Sequence, residues 1–273
     1  MSAEETRTRV MGILNVTPDS FSDGGRWSST EAAVAHGRDL VAQGADIVDV
    51  GGESTRPGAE RVTPEAEQER VLPVVRALAG DGIRVSVDTM NASTALLARD
   101  AGASYINDVS GGLADPGMVA AVIESGLPFI AMHWRGLLQG RSILGDYGDA
   151  ATEVRTELAG RAAQLVELGV DPARLILDPG LGFSKDAAHN WQILGRLEEF
   201  QRLGFPLMIG TSRKRFLGAL LPEGASPSER DFATAITSAL AAQLGVWAVR
   251  VHDVAQTRAA LDVVEAWQGG TRA

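Results

Sequence analysis

The chain has 273 residues, with 25 Lys and Arg against 35 Asp and Glu, for a formal net charge of −10. That balance excludes a general binder of nucleic-acid backbones, which needs clustered cations to displace counterions. The absence of cysteine excludes disulfides, cysteine-based metal sites and thiol nucleophiles. Apolar residues make up 45 %, enough for a sizeable core, and no stretch approaches the roughly 18 uninterrupted apolar residues of a membrane span. The opening MSAEETRTRV is polar and lacks the apolar stretch of a signal peptide, so a cytoplasmic protein with a flexible segment over residues 1–9 is expected.

Short apolar runs rich in Val and Ile recur along the chain: Val10 to Val16, Ile47 to Val50, Arg84 to Asp88, Tyr105 to Val109, Phe129 to His133, Leu175 to Asp178, Leu207 to Gly210 and Trp247 to His252. Each is near-continuously apolar, as strands covered on both faces should be, and longer stretches of helical period separate them. Helix starts are written locally. Ser28 with Glu31 and Ser226 with Glu229 have capping-box spacing, while Thr63-Pro64 and Ser226-Pro227 place proline at the first helical position. Ala33, Gly37, Leu40 and Val41 form one apolar stripe, and Gly44 stands where that helix needs a left-handed stop. Eight such units in a chain of this length predict a single (β/α)8 TIM barrel spanning residues 1–273. A doubly wound sheet is the alternative, although its GxGxxG turn is absent after the first strand.

In such a barrel the chemistry lies at the C-terminal ends of the strands. Asp88, Asn107 and Asp178 sit at or near strand ends and would line one cavity, where buried acceptors require a donor-rich ligand such as a flat amino heterocycle. Helix capping is the alternative for each singly. Lys214, Arg250 and His252 at strands 7 and 8, with Arg56 after strand 2, gather cations suited to an anion such as phosphate or pyrophosphate. Arg250 and His252 share parity and so point the same way, whereas Arg213 and Arg215 suit a solvated face equally well. Gly24, Gly25, Gly51, Gly52 and Gly58 make the two early loops candidates for lids. Asn15 could place a neutral oxygen on Mg2+. His36, Asp46, Trp247 and Trp267 read as structural.

The stretches MGILNVTPDSFSDGG, DVGGESTRPGA, SVDT, NDVSGG, LDPGLGFSK, SRKRFLG and RVHDV, in this order from Met11 to about Trp267, resemble the dihydropteroate synthases. MHWRG with GVDPARLILDPGLGF is most similar to the actinobacterial branch. The resemblance implies a (β/α)8 barrel and a transferase of folate biosynthesis, the sulfonamide target. Its reaction joins 6-hydroxymethyl-7,8-dihydropterin pyrophosphate to p-aminobenzoate, giving 7,8-dihydropteroate and pyrophosphate. It implies that Asp88, Asn107 and Asp178 read the pterin ring with Lys214 beside them, and that Met132 and Phe183 wall the slot. Arg250 and His252 would hold pyrophosphate, and Asn15 would ligate Mg2+. Thr55, Arg56, Pro57, Phe21 and Ser212 match positions around p-aminobenzoate and the anion. Lys214, Asp178, Arg250 and His252 are the expected catalytic groups; Asp23 is a candidate lid residue near the cation or metal, and Asp49 is expected to be structural. A pterin-dependent methyltransferase and a catalytically silent paralogue are the rivals, both disfavoured by the intact STRPG, SRKRFLG and RVHDV stretches. The family habit implies a homodimer through the late helices, although Ile236, Leu240, Leu244, Val263 and Val264 are equally well explained as barrel-facing. The segment Leu137 to Gly148 has no assigned role.

Overall fold

The structure, a computed structural model, describes residues 7–17, 25–53, 62–136, 145–222 and 224–270. Its strands are β1 (Arg9–Asn15), β2 (Ile47–Gly51), β3 (Val85–Asp88), β4 (Tyr105–Asp108), β5 (Phe129–Met132), β6 (Leu175–Asp178), β7 (Met208–Ile209) and β8 (Ala248–Val251). They form one parallel sheet in the order β6-β5-β4-β3-β2-β1-β8-β7. A parallel bridge from Leu177 to Leu207 brings β6 back to β7. The ring is therefore closed as a (β/α)8 barrel, and the doubly wound alternative, an open sheet, is overturned.

Helices α1 (Gly25–Ala42), α2 (Pro64–Gly80), α3 (Ala92–Asp100), α4 (Met118–Ser125), α5 (Ala150–Glu167), α6 (Ala187–Gly195), α7 (Leu197–Gln201), α8 (Arg215–Gly218), α9 (Asp231–Gln243) and α10 (Val254–Gly270) connect the strands. On α1 the expected stripe of Ala33, Gly37 and Leu40 is buried. A Cβ at Gly37 would lie 2.8 Å from Leu78, so this glycine permits the close approach of α1 and α2. Thr63 caps α2, accepting from the Ala66 amide at 3.3 Å, with Pro64 at the first helical position. Gly44 has φ of +105°, the left-handed stop expected there.

Two helix starts differ from expectation. The α1 backbone is helical from Gly25, so Ser28 lies inside the helix and its spacing to Glu31 does not mark a boundary. At the other, the Ser226 amide donates to Glu229 Oε2 at 2.6 Å, but a 3-10 turn over Ser228–Arg230 intervenes before α9 begins. The N-terminal expectation is also corrected for residues 7–9. Arg9 opens β1, its amide donates to Trp247 O at 3.0 Å, and the buried Thr8 hydroxyl donates to Val246 O at 2.8 Å. Residues 1–6 lie outside the described residues.

The two-residue period of the strands sorts the barrel into layers. Outward residues such as Val48, Val50, Val85, Val87, Leu175 and Leu177 join the main core beneath the helices. Inward residues Met11, Ile47, Ile130, Ile176, Met208 and Ala248 fill the floor, with Tyr105 packed against them. Two positions further along the same strands come Ile13, Asp49, Met132, Asp178, Gly210, Arg250 and Asn107. An apolar plug thus becomes a polar layer within one pleat repeat. Phe200, fully buried on α7 in the main core beneath the helices, tests whether core and chemistry separate. Phe200→Ala should cost about 3–5 kcal/mol in a urea titration, with activity per folded molecule unchanged.

Candidate active site

The polar layer is organised by one cation. Arg250 on β8 donates through Nε to Asp49 Oδ2 on β2 at 2.6 Å and through Nη2 to Asp88 Oδ2 on β3 at 2.7 Å. Asn107 Nδ2 on β4 donates to the same Asp49 oxygen at 3.1 Å, so four strands meet at two carboxylates. Burial raises the Asp88 carboxyl from its ordinary range, Asp49 adds to the rise, and the Arg250 charge opposes it. The guanidinium, despite its own burial, is held above its usual pKa by Asp49 and Asp88. Asp49 Oδ1 is buried with no partner among the described residues.

Glu67 of α2, buried, accepts from Thr89 Oγ1 and Asn91 Nδ2, both at 2.9 Å, and so ties α2 to the residues that follow Asp88, while its charge adds to the rise of the Asp88 carboxyl. Asp178, at the end of β6, accepts from the Gly180 amide at 2.7 Å; burial raises its carboxyl and the Lys214 charge opposes the rise. Asp88 Oδ1, Asn107 Oδ1 and Asp178 Oδ2 therefore remain as acceptors without a protein partner among the described residues. Room is left beside them by two inward glycines. A Cβ at Gly51 would lie 3.5 Å from Asp88 Oδ2, and one at Gly210 would lie 3.7 Å from Lys214 Nζ and 4.0 Å from Asp178 Oδ2. Any longer side chain at either position would fill the space these groups face.

The apolar wall of this slot is a separate small cluster of Met90, Val109 and Met132, with Phe183 and Trp134 packed against it. Lys214 lies over the Phe183 ring, Nζ 4.7 Å from its centroid, and donates to Leu181 O. Burial lowers Lys214 to about 8, against the pull of Asp178. Ser212 joins His252: its hydroxyl oxygen accepts from the His252 amide at 3.0 Å and lies 2.9 Å from Nδ1. Asn15 ends β1 with the inward parity of Met11 and Ile13.

The sequence-predicted Asp88, Asn107, Asp178, Lys214, Arg250, Met132 and Phe183 are brought to one mouth, with Ser212 and His252 linked beside it. Phe21, Asp23, Thr55, Arg56 and Pro57 lie outside the described residues. One expectation changes and two are sharpened. Arg250 does not present a whole guanidinium to an anion, because two of its nitrogens are taken by Asp49 and Asp88. Asp49, expected to be structural, is the buried anchor of both Arg250 and Asn107, with the inward parity of Ile47 and Gly51. Arg213, at φ of +57°, makes a paired contact with Asp231 and is structural.

Sequence reasoning also missed a buried group behind the slot. Lys185 Nζ donates to Gly180 O at 2.9 Å, to Phe183 O at 3.1 Å and to His133 Nδ1 at 3.1 Å. His133 Nε2 in turn meets Glu157 Oε2 of α5 at 2.8 Å. Lys185 closes the LDPGLGFSK stretch, but it lies in an irregular turn where no strand or helix period marks its burial or its partners. At the opposite end of the barrel a cavity of about 250 Å3 is lined by Arg7, Arg9, Gln201, Trp247 and their neighbours, with no acidic side chain in its lining.

A closed barrel whose mouth carries acceptors, an apolar wall and a buried lysine is matched by what the chain is similar to. The pterin binding enzyme family covers residues 11–252, and the chain belongs to that family. It is 52 % identical to the dihydropteroate synthase of Mycobacterium leprae, over 95 % of this chain and 93 % of that protein. It is 43 % identical to that of Escherichia coli, over 97 % and 93 %. The solved dihydropteroate synthase of Xanthomonas albilineans with 4-aminobenzoic acid superposes with a TM-score of 0.90 at 44 % identity, over 96 % of this chain and 93 % of that one. The chain is accordingly a dihydropteroate synthase, a transferase, and the methyltransferase and silent-paralogue readings are not favoured.

Removing the central cation should expose its role. Arg250→Met leaves Asp49 and Asp88 as neighbouring buried acids, a loss of about 3–5 kcal/mol when one partner of such a cluster is removed. Without Arg250 the folded-state pKa of Asp88 rises further above its unfolded value, and a raised carboxyl loses stability as pH climbs through it. The deficit against wild type should therefore be smallest near pH 5 and grow toward pH 8, measured by urea unfolding at each pH.

Proposed function

We propose that the chain condenses 6-hydroxymethyl-7,8-dihydropterin pyrophosphate with p-aminobenzoate, releasing pyrophosphate and forming 7,8-dihydropteroate. The observation that carries this reading is the set of open acceptors on Asp88, Asn107 and Asp178 around the space kept by Gly51 and Gly210. A pterin offers ring N–H and amino donors in one plane, which such acceptors suit, and Met132 and Phe183 suit its faces. A solved Xanthomonas albilineans relative, at 41 % identity, is in complex with 7,8-dihydropteroate.

In this reading the aryl amine attacks the pterin methylene as the C–O bond to pyrophosphate breaks. The amine is a competent nucleophile, so no strong general base is required, and its proton leaves to solvent or to pyrophosphate. Lys214, the remaining N–H groups of Arg250, and His252 stabilise charge on the leaving oxygens, where preorganised donors act most strongly. Asp88 and Asp178 offset positive charge on the ring when bond breaking runs ahead of attack. Ser212 orients His252, and Thr55, Arg56, Pro57 and Phe21 are assigned to the p-aminobenzoate side, with Asp23 in the lid. Asn15 would hold Mg2+. No cluster of three or more acidic or histidine ligands exists among the described residues, and a single neutral oxygen fits an ion that keeps waters and bridges phosphates. When bound, Mg2+ would neutralise charge on the pyrophosphate.

The test is pyrophosphate release with the pterin pyrophosphate and Mg2+, with and without p-aminobenzoate. Release should require the aryl amine, and sulfamethoxazole should compete with it. Lys214→Ala and Asp178→Asn should each lower kcat on the order of 100-fold with the fold retained. Wild-type rates in both variants would sink the slot assignment.

No helix among the described residues is long and apolar enough to cross a membrane, which suits a cytoplasmic enzyme. Ile236, Leu240 and Val263, which the sequence left open, are exposed, whereas Val264 is buried. With Phe232 70 % and Trp267 72 % exposed, they give α9 and α10 an apolar face suited to a homodimer. Trp267 is thus not the core residue expected. Sedimentation should find a dimer that Phe232→Glu with Trp267→Lys converts to monomer; an unchanged sedimentation coefficient would reject this face.

A further inference from the structure

Lys185 is only 5 % exposed and reaches the slot from behind. An ammonium has three N–H donors, and this one has three acceptors: Gly180 O at 2.9 Å, Phe183 O at 3.1 Å and His133 Nδ1 at 3.1 Å. Nδ1 can accept only if the ring is neutral with its proton on Nε2, which then donates to Glu157 Oε2 at 2.8 Å. Burial, with Lys185 adding to it, lowers His133 to about 4 and keeps it in that form. A chain of hydrogen bonds thus runs from a partly exposed carboxylate on α5, through a neutral imidazole, to the ammonium and the turn after β6.

That turn carries the slot. Asp178 enters it, Phe183 leaves it, and Lys214 grips it at Leu181 O. Gly180 and Gly182 have φ of +68° and +75°. A Cβ on Gly180 would lie 2.5 Å from His133 O, and one on Gly182 2.5 Å from Lys214 Cδ. The turn is therefore clasped between the end of β5 and the segment before α8, with Gly180 O and Phe183 O taken by Lys185 and Leu181 O by Lys214.

We infer that Lys185 is a positioning residue for the pterin slot, fixing the turn after β6 so that Asp178, Phe183 and Lys214 keep one arrangement. This rests on the pterin reading of the slot given above. The charged groups that face Lys185 are Asp178 at the end of β6, Glu157 on α5, Arg135 after β5 and Lys214 across the turn, with neutral His133 in contact. Burial, with Lys214 and Arg135 adding to it, lowers Lys185 to about 7, while Asp178 and Glu157 oppose the fall. All three N–H donors are therefore present below about pH 7, and one is lost above it.

The experiment is titration calorimetry of the full chain with the pterin pyrophosphate as probe, from about pH 6 to pH 9, alongside steady-state KM for p-aminobenzoate. Lys185→Met should bind the pterin about tenfold more weakly at the acid end, as a displaced binding group would predict. Its KM for p-aminobenzoate should stay within about twofold, and its pH dependence should be shallower than wild type. Glu157→Gln keeps a hydrogen-bond acceptor for His133 but removes the charge that favours the ammonium. It should bind normally at the acid end, with the alkaline loss displaced to lower pH. Lys214 titrates in all the proteins, so the difference between the curves reports Lys185. Wild-type affinity in Lys185→Met, or an undisplaced limb in Glu157→Gln, would overturn the inference; should Lys185→Met not fold, the limb in Glu157→Gln decides it. Wild-type protein that fails to bind the pterin would overturn the slot reading, and this inference with it.

Discussion

The interior of the barrel depends on a half-buried cation held between two buried carboxylates. Arg250 reaches from β8 past β1 to Asp49 on β2 and Asp88 on β3. Two carboxylates this close would repel each other, and a guanidinium there alone would be uncompensated. Each makes the others tolerable, and Asn107 completes the cluster through Asp49. The arrangement also sets which oxygens remain for a ligand, because every hydrogen bond inside the cluster removes one acceptor from the slot.

Much of this was legible from strand period. The apolar runs predict a ring of parallel strands, strand ends place Asp88, Asn107 and Asp178 around one cavity, and parity points Arg250 and His252 the same way. The same parity, followed from Ile47 to Asp49 and Gly51, placed Asp49 in the polar layer, although a lone acid inside an apolar run reads more readily as structural. What strand period could not reveal was pairing across the barrel. Arg250 and Asp49 are about 200 residues apart and meet only because closure brings β8 beside β1. Helix boundaries suffered from the opposite problem, since Ser28 and Glu31 satisfy a local rule within a helix that already runs from Gly25.

Irregular backbone hides its logic more completely. The turn after β6 depends on left-handed glycines and on carbonyls that accept from two lysines, and neither leaves a periodic trace. The β7 and β8 ends show the same dependence: Ser212 and His252 are joined through a side chain and an amide that only the barrel geometry brings together. Here sequence patterns identify the residue types, and the fold determines their partners.

The overall charge sharpens the argument about how a polyanionic substrate is captured. A chain of net −10 repels a pyrophosphate at long range, but at physiological ionic strength such repulsion is screened over roughly 8 Å. At the mouth the local balance differs, because Lys214 and Arg250 lie half-buried at the strand ends, where salt screens a charge less than it does at the surface. In the proposed reading, a ligand that is a flat donor at one end and an anion at the other suits this mouth, because Asp88, Asn107 and Asp178 keep open acceptors and Lys214 and Arg250 lie at the strand ends beside them.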